Sequence, residues 1–197
     1  MKNPFKYTFL LALPLALVAC DGGGDSSVDT FIQTDGPPSD ENAASGQNDT
    51  GFTLDGVDEA LEATYEAEII SLINEERSSL ELPSVTLLVD EAISDIARGH
   101  SATLETGVAN PTEIVVNHDN FEARADAVFA LDYGFFAENV AGVRGYAQED
   151  VARAIVDGWL DSPPHLEAIE GDFTHTGVGV SVDTVSGVIY ATQIFVR

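Results

Sequence analysis

The sequence predicts an α+β domain on three observations: apolar residues at helical spacing in several separate stretches, two β-branched runs flanking a turn near the C-terminal end, and one extended segment between helices. Helices followed by a strand pair fit layers of helix on antiparallel sheet. They do not fit the strand-helix alternation of a doubly wound fold.

Ile69, Leu72, Ile73 and Leu80 share one helical face, and Pro83 stops that helix soon after Leu82. Val57 to Tyr65, just ahead of it, reads either as a short lead-in helix or as linker. Asp90 is placed to cap a second helix, with Ile93, Ile96, Ala97 and Leu104 on one face and Gly107 at its end. A third helix covers Phe121 to Leu131. Phe135 to Val143 is too short and too glycine-bounded for a helix and reads as a strand or extended segment holding Glu138. In Gln148 to Leu160, Val151, Ile155 and Trp159 fall at successive intervals of four, a stripe that faces a core. Thr176 to Val182 and Val188 to Val196, around Asp183 to Gly187, form a hairpin signature.

The N-terminus sets the compartment. Lys2 and Lys6 precede an apolar run from Tyr7 to Val18, and Leu17-Val18-Ala19 leads directly into Cys20, the only cysteine of the chain. The run is far shorter than the roughly 20 residues a membrane-spanning helix needs, so residues 1–19 read as a lipoprotein signal peptide, and Cys20 as the lipidated residue that anchors the protein to the bilayer outside the cytoplasmic membrane, in the periplasm or at the cell surface. Residues 20–67 then form an acidic, flexible tether rich in Gly, Ser, Asp and Asn, too polar to bury a core. The folded domain is expected over 68–197, and with a single cysteine it holds together without an internal disulfide.

Removing Lys2 and Lys6 with the signal peptide takes the formal charge from −26 to −28 and leaves no lysine, so six arginines face 34 acidic residues. Such a surface repels nucleic acid and anionic headgroups, and nucleic acid is excluded as a partner.

Three segments carry polar groups suited to chemistry: Asn117-His118, Ala137-Glu138-Asn139, and Trp159-Leu160-Asp161-Ser162-Pro163-Pro164-His165. In the last, the two prolines fix the backbone just past a helix end and set His165 on a rigid approach. His118 and His165 are 47 residues apart, so no local metal-binding spacing exists and only tertiary structure can join them. Two imidazoles make a weak, open site suited to zinc or another late divalent metal, with Glu138 either orienting an imidazole or accepting a proton from bound water. His100 and His175 read as structural or surface residues, and Asn74 and Arg77 as residues that fix helix ends and a buried polar contact. No Gly-x-Ser-x-Gly elbow surrounds Ser162, which argues against a serine hydrolase.

Asn74-Glu75-Glu76-Arg77, Leu82-Pro83 with Leu87, Ala97-Arg98-Gly99-His100-Ser101, the three polar segments, Thr176-Gly177-Val178-Gly179-Val180 and Tyr190 to Phe195 follow one another in the order found in a known family. In these motifs the chain resembles the CAP superfamily of cysteine-rich secretory, antigen-five and pathogenesis-related proteins, in its compact bacterial (SCP-domain) form. The resemblance implies a three-layer α-β-α sandwich, a small antiparallel sheet flanked by helices, with a cleft lined by histidines and acids. It makes His118 the first cleft histidine, Glu138 the glutamate of the Glu-Asn pair and His165 the second histidine, and it puts Ser162 where eukaryotic members keep a second glutamate.

The expected function is a membrane-anchored extracytoplasmic binding module, with His118, Glu138, Ser162 and His165 lining a cleft for a small apolar ligand, a divalent metal or an envelope partner. A metal-assisted hydrolase, with His118 and His165 holding zinc and Glu138 as base, is the enzymatic alternative. An envelope structural protein is the third.

Overall fold

The computed structural model describes residues 33–35, 59–80, 82, 86–107 and 113–197. The signal segment, Cys20 and Pro83 lie outside the described residues. In chain order the elements are β1 (Gln33–Asp35), α1 (Glu59–Ser79), β2 (Leu88–Val89), α2 (Glu91–Gly107), α3 (Phe121–Phe129), β3 (Phe136–Arg144), α4 (Val151–Leu160), α5 (Pro163–Glu170), β4 (His175–Val182) and β5 (Ile189–Val196).

The three long strands form an antiparallel sheet in the order β3-β5-β4, as expected. Its two edges differ from expectation, because β1 joins β3 and β2 joins β4 in parallel, each over two or three residues. Helices cover both faces, completing the α-β-α sandwich. On one face Tyr65, Ile69 and Ile73 of α1 meet Val151, Ile155 and Trp159 of α4, Ile169 of α5 and the inward residues Ala137, Ala141, Val178 and Phe195 of the sheet. On the other, Ile93 and Ala97 of α2 and Val128 of α3 pack on Phe136, Ile194 and Val196. Trp159 is fully buried and donates its Nε1–H to the Val140 carbonyl at 3.2 Å, so the largest core side chain leaves no polar atom unsatisfied.

Two boundaries move. Helix α1 starts at Glu59 and already buries Tyr65 and Glu66, and β1 pairs with Gly142, Val143 and Arg144, so the stretch expected as flexible tether over 20–67 contributes to the fold at both places. The cause is visible at the sheet edge, where Glu62 and Glu66 accept hydrogen bonds from the Val182 and Val180 backbone N–H groups of β4, each at 3.1 Å. Polar residues that read as linker thereby satisfy an open strand edge. The rigid approach expected from the two prolines is the start of a helix. Pro163 and Pro164 occupy the first positions of α5, where a missing N–H costs nothing, and His165 is a helical residue.

Candidate functional site

A tight turn positions His118. Asn117 accepts the Asp119 N–H through its side-chain oxygen at 2.9 Å, and Asn120 takes the left-handed conformation at φ 59°, which asparagine tolerates. The chain thus reverses into α3, whose Arg124 points back at the turn and donates Nη1–H to the Asp119 carbonyl at 2.5 Å. On β3, side chains alternate between faces. Glu138 therefore projects to the α2/α3 side, where it meets both residues: His118 Nδ1 lies 2.8 Å from Oε1, and Arg124 donates Nε–H to Oε2 and Nη2–H to Oε1, each at 2.6 Å.

Glu138 is buried among these partners. Burial pushes its carboxyl up, but the hydrogen bonds from His118 and Arg124 and the Arg124 charge outweigh it and hold the group below the usual carboxylate range. An ionised Glu138 fixes the Nδ1–H of His118, whose side chain is one-quarter exposed. His100 completes the cluster: it is buried on α2 with Nε2 2.9 Å from the Asn117 carbonyl. Burial lowers its pKa, against the pull of Glu138 and with the push of Arg124 and His118, so it stays a neutral donor to that carbonyl.

Of the expected constellation, two members are in direct contact. His118 and Glu138 meet. Asn139, one residue on, points to the other face and donates Nδ2–H to the His165 carbonyl at 3.2 Å, so His165 sits in α5 within the layer formed with α1 and α4. Ser162 lies at the α4–α5 junction, where its carbonyl accepts the Leu166 N–H at 2.9 Å and its hydroxyl is buried and caps no backbone group. Glu138 spends its oxygens on Arg124 and His118, and among the described residues no group of three or more His, Cys, Asp or Glu side chains is placed to hold a metal.

His100 is structural, as expected, holding the Asn117 turn. Sequence reasoning missed two parts of the site. Arg124 was not singled out although it is one of only six arginines beyond the signal segment. The second is a groove of about 400 Å³ between α3 and α5 at the start of β3. Phe121, Phe129, Phe135, Phe136 and Phe173 line it together with Ala125. It adjoins the polar cluster, because Phe121 stands edge-on to His118 with ring centroids 6.3 Å apart and to Phe136 at 4.8 Å.

The α-β-α sandwich and the order of the sequence motifs point to the same class of sandwich domain. The family model of the cysteine-rich secretory protein family (CAP) matches residues 70–195, and the chain belongs to that family. Among solved structures it is similar to an outer surface protein of Borrelia burgdorferi, at TM-score 0.51 and 20% identity over 68% of this chain and 92% of that one. It is similar as well to an extracellular protein containing an SCP domain from Bacillus anthracis, at TM-score 0.51 and 26% identity, over 69% of this chain but only 41% of that one. No curated protein sequence matches the chain.

Proposed function

We propose that this protein is an extracytoplasmic binding module, anchored by a lipid on Cys20, that holds a small apolar ligand in the phenylalanine groove between α3 and α5. The observation that carries the reading is the groove: about 400 Å³ lined by five phenylalanines lies within the range of small-molecule sites and is costly to leave in water. The His118 ring, edge-on to Phe121 of the groove lining, puts an imidazole next to the groove. The signal-like N-terminus and the extracellular relative from Bacillus anthracis support the location.

The test is titration with a neutral apolar fluorophore whose emission rises on burial. Wild type binds it saturably, and Ala125→Trp, which fills the groove from the half-buried face of α3, weakens binding at least about tenfold. Equal binding by the two proteins, or none by either, sinks the reading. The anchor is tested separately: Cys20→Ala releases the protein from membranes, and retention after signal cleavage overturns the lipid.

A further inference from the structure

The polar rim of the groove has a sign. Glu167, Glu170 and Asp172, all exposed at the end of α5 and the turn after it, border the phenylalanines. Arg197 is the one basic residue among the groove's lining, and its charge is already spent: its guanidinium pairs with Asp172 and lies 4.2 Å above the Phe135 ring. Around this rim the chain as a whole carries a formal −26. An apolar ligand with a carboxylate or phosphate head would bring a negative charge against two glutamates that pair with no basic side chain among the described residues, in a negative field. A ligand with an ammonium head would meet those glutamates and the faces of exposed aromatic rings, both of which attract cations.

We infer that the groove selects amphiphiles with a cationic head, the hydrocarbon body lying on the phenylalanines and the ammonium at Glu167 and Glu170. The inference rests on the proposed reading of the groove as a ligand site and adds the chemical class of the ligand. Arg197 acts within it as a wall: its stacking on Phe135 and its pairing with Asp172 hold the turn against the sheet end, where the Gly134 and Phe135 N–H groups donate to the Arg197 carbonyl at 2.8 and 3.0 Å.

The experiment compares three straight-chain probes of equal length, an alkylammonium, an alcohol and a carboxylate. Each is used below its micelle concentration and titrated calorimetrically into the protein lacking only its signal segment and Cys20, which retains every described residue. The expected order is ammonium, then alcohol, then carboxylate, with the ammonium about threefold to tenfold tighter than the alcohol at low salt. That preference shrinks as salt is added, because the rim is exposed. The double variant Glu167→Gln/Glu170→Gln, on exposed positions, brings ammonium and alcohol to parity. Equal affinities for ammonium and alcohol in wild type, or tightest binding of the carboxylate, overturn the charge selection and leave the groove reading intact. Binding of none of the three removes both. If Ala125→Trp leaves ammonium affinity unchanged, the probe sits elsewhere and the inference fails.

Discussion

Arg124 grips Glu138 through two hydrogen bonds of 2.6 Å, Nε to Oε2 and Nη2 to Oε1, in a site where the Glu138 side chain is fully shielded and that of Arg124 nearly so. A buried pair of this kind gains little over an apolar replacement, but breaking it strands a charge. Arg124→Ala is therefore expected to destabilise the domain by about 3–5 kcal/mol. The double variant Arg124→Met/Glu138→Leu should cost clearly less than either single truncation, because it removes both charges at once. Urea unfolding of the four proteins measures this. Additive costs would mean that the pair is not coupled.

The two buried titratable groups of the site act on stability in the same direction with pH. His100 has a folded pKa below its ordinary 6.5, so the unfolded chain takes up the proton first, and stability falls as pH drops below about 6.5. Glu138 has a folded pKa below 4.5, so its contribution, complete above that value, is lost as pH falls further through the folded value. Asp90, held low chiefly by the Tyr133 hydroxyl, adds to the second limb, while Glu62, pushed up by burial, opposes it. Glutamine places an amide donor near the position of His100 Nε2 and does not titrate. His100→Gln should thus abolish the upper limb and spare the lower one, followed by urea midpoints across the acid range. An upper limb that persists in the variant assigns it to another group.

Gly177 and Gly179 let α2 lie directly on β4. A Cβ on Gly179 would stand 2.0 Å from the Arg98 backbone nitrogen, and one on Gly177 2.3 Å from that of Ser94, contacts that only a shift of the whole helix relieves. Gly179→Ala is expected to cost about 1–3 kcal/mol or more. Gly107→Ala, at the end of the same helix with nothing within 4 Å, is the matched control and should be close to neutral. Thermal unfolding of both tests whether the cost follows the close approach of α2 to β4, which Gly179 carries and Gly107 does not.

How far the sequence revealed this molecule depended on whether a residue's partner was local. The stripe Val151, Ile155 and Trp159 proved buried as its spacing implied. Asp90 caps α2 through Oδ1, which accepts the Ala92 N–H at 2.9 Å. Asp183 closes the β4–β5 turn by accepting the Val185 N–H at 2.8 Å. Each of these is decided within a few positions of chain. The sidedness of Glu138 was not legible, because β3 is buried on both faces and its sequence carries no polar-apolar alternation to mark which face is which. The groove was hidden for another reason: its phenylalanines come from α3, the start of β3 and the turn before β4, and no spacing links them. Pro163-Pro164 misled because the same pair that ends one helix can begin the next.

Arg77 links the first helix to the groove. Fully buried near the end of α1, it donates to the carbonyls of Ile169, Gly171 at 2.9 Å and Phe173 at 3.4 Å, satisfying the end of α5 and the turn that carries Phe173 into the groove. Burial lowers its pKa while Asp172 raises it, with burial the larger influence. Charged hydrogen bonds to carbonyls are each worth about 1.5–3 kcal/mol, so Arg77→Ala should destabilise by about 3 kcal/mol or more. Arg77→Lys should not rescue it, since a point-like ammonium lacks the planar fork that reaches all three oxygens. The decisive measurement pairs unfolding with groove binding at a temperature where the Lys variant is still folded. Loss of apolar-probe affinity in that folded protein identifies Arg77 as the residue that sets the groove wall, whereas full affinity confines it to holding α1 against α5.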